Sequence, residues 1–316
     1  MLTPRDVYQQ TVANNRRLLA LILLFPAALS IFVFACLKVF ELIYNQGSDG
    51  YTADAIKLSD FWVVFLPIVL LIALLMTIFS LAQGKNMILS LTGAEPCPED
   101  AEHSRVFHAV ENVALAAGLP TPKVYLMKSS ALNAFATGYS PKDAAITLTT
   151  GLVDRLSPLE LEAVIAHEMG HIMNRDIRLN LFIITGIGMI GLFGELLLRT
   201  RTRGNSRGKG GGAVIILLAI GFGLYLFRLL VAPFIHMAIS RTQEFQADAT
   251  SAYLTRNPQA LVDALIKISE NPNVAVLANT AAFHSMCIFN PLNGLSHLLD
   301  THPSIEARIK RLNEMS

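Results

Sequence analysis

The sequence predicts an α+β multi-pass membrane protein: four apolar helices, with a mainly helical domain and a small β-sheet beside them. Three observations carry that prediction. Hydrophobic residues make up 53% of the 316 and charged residues only 16%, where soluble domains average about 25% charged. Several apolar runs are long enough to cross a bilayer core, which takes roughly 20 helical residues. Between the second and third runs the composition reverts to that of a soluble protein, with short β-patterned stretches. The same numbers exclude a disordered chain and a nucleic-acid binder relying on phosphate neutralisation. Net charge is +1, so no global field steers a charged partner. The three cysteines, Cys36, Cys97 and Cys287, form no close pair, which rules out a disulfide scaffold or a cysteine-built zinc finger.

Leu18 to Leu37 and Phe61 to Ala82 read as the first two spans. The first is too long for a cleaved signal peptide and is read as an uncleaved anchor. Arg16 and Arg17 precede it, while Asp49, Asp54 and Asp60 lie in the link; the positive-inside rule therefore puts the N-terminus and the chain after Ala82 in the cytoplasm. In the polar stretch, Glu99 to Ala117 reads as a helix ended by Gly118-Leu119-Pro120. Lys123 to Met127, Leu132 to Thr137 and Ala144 to Thr150 read as strands. Ser157-Pro158-Leu159-Glu160 has the serine, proline and early acid that open a helix. Leu179 to Leu198 and Ala213 to Ile239 are the third and fourth apolar runs. The basic, glycine-rich stretch 199–212 joins them and, on the outside, would violate the positive-inside rule. The pair is read as a spanning or re-entrant hairpin, and Glu195 and Arg228 within it as positional rather than functional.

The informative pentapeptide is His167-Glu168-Met169-Gly170-His171. Helical positions four apart point the same way, so both imidazoles can grip one ion. Glu168, rotated by about 100°, falls beside water at that ion rather than among the ligands. Zinc lowers the pKa of such a water towards about 7, and Glu168 can take its proton for attack on a peptide carbonyl. A catalytic zinc takes a third protein ligand, and Ile177 stands where the extended motif would place a histidine. Two acids compete. Glu195 lies inside an apolar run, roughly 36 Å away along a continuous helix. Glu244, in Ser240 to Asp248, shares a helical face with Asp248 and is favoured. Asp248 can then accept the spare N–H of a ligand histidine. His103, His108, His236, His284 and His297 lack ligand spacing and are left to packing or solvent.

These residues resemble the HtpX-type membrane zinc metalloproteases, relatives of the CAAX prenyl protease. The likeness also includes Leu132-Asn133-Ala134-Phe135-Ala136-Thr137-Gly138, Thr149-Thr150-Gly151-Leu152 and Thr301-His302-Pro303-Ser304-Ile305-Glu306-Ala307-Arg308-Ile309, and it covers nearly the whole chain. Gln243, where the family pattern leads one to expect arginine, Thr250 and Ser251 depart from it without touching a ligand. The resemblance implies a cytosolic, zincin-type catalytic domain, one Zn2+ per chain held by His167, His171 and Glu244, and Glu168 as catalytic acid/base. It also implies proteolysis of damaged or misassembled membrane proteins at the cytoplasmic face of a bacterial inner membrane. Partners would be polypeptides, the lipid bilayer and other membrane quality-control proteases, and no nucleic acid. The strand at Asn133, Ala134 and Phe135 reads either as a substrate-binding edge or as a core strand, and His302 as an oxyanion donor or a turn residue.

The expected organisation is residues 1–84 as a membrane hairpin, 85–178 as the first part of the catalytic domain, 179–239 as a second apolar hairpin, and 240–316 as the rest of the domain. Rival functions are a membrane chaperone or adaptor with a vestigial metal site and a prenyl-protein-type protease. An intramembrane protease is disfavoured because the metal helix carries Glu160, Glu162, Asn174, Arg175 and Asp176. A proton-relay transporter is disfavoured because its ionisable cluster lies outside the apolar runs.

Overall fold

The computed structural model describes residues 4–47, 62–199, 211–230, 232–270 and 303–315. Two long apolar helices open the chain: α1 (Pro4–Gly47) and α2 (Trp62–Thr92). Pro26 lies inside α1, and the Ser30 hydroxyl donates to the Pro26 carbonyl at 2.7 Å. Helix α2 runs ten residues past the expected end at Ala82, carrying Gly84 within it, and ends at Gly93, which adopts φ +64°.

A short strand that sequence patterning did not find, β1 (Glu95–Pro96), follows, then α3 (Ser104–Ala117). This helix starts five residues later than expected, because the Asp100 carboxylate accepts from the His103 amide and holds the preceding turn. Next come β2 (Lys123–Met127), β3 (Ala134–Thr137) and β4 (Ala145–Thr149). The sheet order is β1-β2-β4-β3, parallel between β2 and β4 and antiparallel at both flanking pairs, with Ala136 opposite Ile146 in the last.

Thr149 caps α4 (Thr150–Arg155), and Ser157 caps α5 (Pro158–Met173) in a capping box with Glu160. After Asn174 and Arg175 the chain starts α6 (Asp176–Arg199). The described residues of the expected fourth run are helical, in α7 (Gly211–Leu230) and α8 (Ala232–Thr255). Two helices finish the described chain, α9 (Pro258–Glu270) and α10 (Ile305–Asn313).

Among the described residues three helices are long and apolar enough to cross a membrane, at Gln9–Val39, Leu70–Thr92 and Asp176–Arg199, and Leu217–Leu230 is a shorter apolar helix. Contacts divide the chain into two units. One comprises Leu19–Ser80 and Gly186–Ile235. Its core gathers Leu29, Val33, Leu37, Ile190, Ala219 and Phe227, and Phe25 and Phe32 meet Phe227 edge to face at 5.7 and 5.6 Å. The other comprises Met1–Leu18, Leu81–Thr185 and His236–Ser316. There α5 packs against α3, α9 and β3, burying Val164, Ile165, Met169 and Ile172 completely.

A Cβ at Gly151 would lie 2.5 Å from the Ser130 carbonyl oxygen, and the Gly151 amide donates to the Ser129 carbonyl. Backbone therefore meets backbone at the start of α4, and neither side can yield as a flexible side chain would. Gly151→Ala is expected to destabilise the fold by about 1–3 kcal/mol, read as a lowered thermal midpoint of the detergent-solubilised chain; an unchanged midpoint would contradict this packing.

Candidate metal centre

The pentapeptide occupies the last turns of α5, whose register is set by the Ser157 cap and whose apolar face is packed into the core. His167 and His171 accordingly project from one side, their rings 4.9 Å apart and nearly perpendicular. Glu244 reaches them from α8. His167 Nε2 lies 3.6 Å from one Glu244 oxygen and His171 Nε2 lies 3.7 Å from the other. One ligand atom from each of the three residues falls within 4.8 Å of the others. Glu195, the rival acid, lies elsewhere on α6, exposed and paired with Arg199.

The other ring nitrogens are held by carboxylates. His167 Nδ1 is 3.0 Å from Asp248 Oδ1, and His171 Nδ1 is 3.0 Å from Asp176 Oδ2. Each pairing leaves Nε2 turned towards Glu244 and fixes the orientation of its imidazole. Asp176 comes within reach of His171 because Arg175 adopts φ +63°, folding the chain back between α5 and α6. Arg308, from α10, is almost wholly buried. It forks onto Asp248, Nε to Oδ2 at 2.9 Å and Nη2 to Oδ1 at 2.6 Å, and its Nη1 lies 3.3 Å from Glu244.

Close approach of α5 and α8 rests on Gly170, where a Cβ would sit 3.0 Å from Ala247 Cα. Ser251, a departure from the family pattern, donates its hydroxyl to the Ala163 carbonyl at 2.6 Å and ties the same two helices. Thr250 turns its hydroxyl back onto its own helix, at Gln246.

Glu168 is buried. Burial pushes its carboxyl up, against the pull of both imidazoles and of the Ala136 amide, which donates to it. Ala136 belongs to β3, the last strand of the sheet. Thr149 N–H donates to the Asn133 carbonyl, so by antiparallel alternation Asn133, Phe135 and Thr137 exchange bonds with β4, whereas Ala134 and Ala136 turn their backbone groups away. Asn133 Oδ1 accepts from the Ala134 amide. Phe135 packs with Ile88, Met127, Ala131, Leu181 and Ile184, and every residue of the strand is buried. Edge and core, the alternatives left open by the sequence, thus coincide in one strand. His302 lies outside the described residues, as do His284 and His297.

Charge decides what the cluster can hold. Glu168, Glu244 and Asp248 lie around the Arg308 guanidinium, Asp176 lies against His171, and burial is costly for unbalanced acid. Two imidazole nitrogens and a carboxylate are also the donor set that suits zinc. Tetrahedral bonds of about 2.0–2.1 Å place ligand atoms about 3.3–3.5 Å apart, against the 4.8 Å within which one atom of each residue falls here. Sequence reasoning missed Asp176 and Arg308. Asp176 had a local signal, an acid five residues past His171; Arg308 had none beyond its place in a matched block.

The description "Peptidase family M48" matches residues 100–316. The protease HtpX homologue of Caldanaerobacter subterraneus subsp. tengcongensis is 39% identical over 320 residues, covering 100% of both chains. That of Pediococcus pentosaceus is 44% identical over 73% of this chain and 79% of its own. A looser likeness, TM-score 0.45 at 21% identity, relates 98% of this chain to 67% of that in the crystal structure of S. mikatae Ste24p.

Burial works against a charged His171, but the Asp176 bond and the charges of Glu244, Asp176 and Glu168 outweigh it and raise the imidazole to about 9. A raised imidazole contributes stability that is fully present below its unfolded value of about 6.5 and is lost as pH rises through about 9. Chelator-treated parent should therefore lose thermal stability between pH 6.5 and 9, and His171→Gln should flatten that part of the profile. Parallel profiles would contradict the assignment.

Proposed function

Because this chain belongs to peptidase family M48 and is of the HtpX type, we propose that it is an integral membrane zinc endopeptidase that cuts damaged or misassembled membrane proteins. Its site faces the cytoplasm of a bacterial inner membrane. The observation that carries this reading is the convergence of His167, His171 and Glu244 around one point with the Glu168 carboxylate beside them.

His167, His171 and Glu244 would hold the ion, one per chain. Zinc bound there supplies Lewis acidity, polarising a peptide carbonyl and making water more acidic. Glu168 takes the proton from the attacking water and hands it to the leaving amine. Its raised affinity for a proton suits it to accept and return one. Asp248 and Asp176 keep the imidazoles turned inward, and Arg308 fixes Asp248 and balances Glu244. A substrate main chain would donate to the outward carbonyls of Ala134 and Ala136, whose amides are taken by Asn133 Oδ1 and Glu168. Recognition through the main chain gives affinity whatever the side chains, which fits a broad quality-control role and cooperation with other membrane proteases. Phe135 supports the strand from the core side. His302 would either donate to the oxyanion or serve as a turn residue, and Arg16 and Arg17 support the cytoplasmic orientation.

The test compares zinc content and casein cleavage by the purified full chain. Glu168→Gln should keep zinc and cut about 10²–10⁴-fold more slowly, Glu244→Ala should lose zinc, and Glu195→Ala should do neither. Cleavage by Glu168→Gln at the parent's rate would end the hydrolytic reading, and zinc bound without cleavage in the parent would favour a chaperone.

A further inference from the structure

The first apolar helix does more than anchor the chain. Three residues in its first turns, which belong to the metal-bearing unit, make four hydrogen bonds to residues more than 150 positions away. Gln10 accepts from Gln246 at 3.1 Å, two residues from Glu244. Asn15 accepts from Arg178. Between them Asn14, almost fully buried, donates both amide hydrogens to the turn between α5 and α6: one to the Asn174 carbonyl at 2.9 Å, the other to Asp176 Oδ1. The Asn14 oxygen accepts from Arg17 at 3.3 Å, which fixes which way the amide faces.

Asp176 has two oxygens and both are committed: Oδ1 to Asn14, Oδ2 to His171 Nδ1. The amide also bridges the two sides of Arg175, the residue at φ +63° that brings Asp176 back onto His171. A left-handed arginine is strained by its Cβ, so this turn persists only where neighbours hold it.

We propose that Asn14 is a positioning residue for the metal centre: it orients His171 through Asp176, so that full metal affinity requires the N-terminal helix to be seated. The inference rests on the metal-site reading above and adds to it a regulatory dependence on the first membrane helix. Partners one step removed from a metal ligand tune affinity by about 10–100-fold, and that is the effect assigned to Asn14.

The test is a chelator-competition titration of zinc on the full chain in detergent, paired with the visible spectrum of its cobalt form. Asn14→Ala and Asn14→Asp should each weaken zinc about 10–100-fold and change the cobalt spectrum. The aspartate keeps the size but replaces the donor with an acceptor facing Asp176. Asn15→Ala, which breaks a neighbouring contact of the same helix, should stay within about twofold of the parent. Asp176→Ala and Asn14→Ala/Asp176→Ala should lose the same affinity, because the amide acts through that carboxylate. The spectrum is read per bound ion, so partial unfolding does not imitate a changed ligand field. Parent-like zinc affinity in Asn14→Asp, or losses that add in the double variant, would overturn the inference while leaving the metal site standing. A parent chain that takes up no zinc, or a Glu244→Ala chain that binds it as tightly as the parent, would overturn the metal reading and this inference together.

Discussion

Four buried carboxylates around two imidazoles are the constraint from which the rest of the metal-bearing unit follows. Acid taken out of water must be matched by positive charge or by donors. Arg308 supplies one charge and forks onto Asp248, holding that carboxyl low despite a burial that works the other way. Backbone and side-chain amides supply further donors, at Ala136 for Glu168 and at Asn14 for Asp176. The rest of the acid faces the two imidazoles. Helix ends, the left-handed Arg175 and the buried α10 arginine are thus one solution to a single electrostatic problem.

Packing and electrostatics meet at the α5–α8 contact. Gly170 allows the two ligand-bearing helices to approach until a Cβ would touch Ala247, and the Ser251 hydroxyl replaces apolar contact with a directed bond to the Ala163 carbonyl. That serine interrupts the small-residue run expected of the family, yet it keeps the helices close by other means. Separations of 3.6 and 3.7 Å between Glu244 and the two Nε2 atoms depend on this spacing.

What the sequence revealed was mostly what has a local signature. The Ser157 cap, the β2 strand and the four-residue separation of the histidines are each written within a few positions. Composition alone located the apolar runs. The extension of α2 past Ala82 was hidden because the polar residues from Gln83 on end the apolar run without ending the helix. Long-range partners left no such trace. Asn14 reads as an ordinary polar residue before a span, and Arg308 as one more basic residue on a short amphipathic helix. Their contacts join positions 162 and 60 apart, and no periodicity encodes such a pairing. β3 illustrates the same limit: alternation shows which backbone groups turn away from β4, but only tertiary packing shows that the strand is also buried.

The order of residues along the chain gives the cluster a timetable. Ribosomes deliver about 5–20 residues per second, N-terminus first. The histidines and Glu168 therefore emerge well before Arg308, the guanidinium that grips Asp248 and lies against Glu244. Until α10 has been translated, the acids of α8 lack their counterion and the site lacks its final brace. A nascent copy therefore carries an unbraced cluster until α10 has followed α8 out of the ribosome.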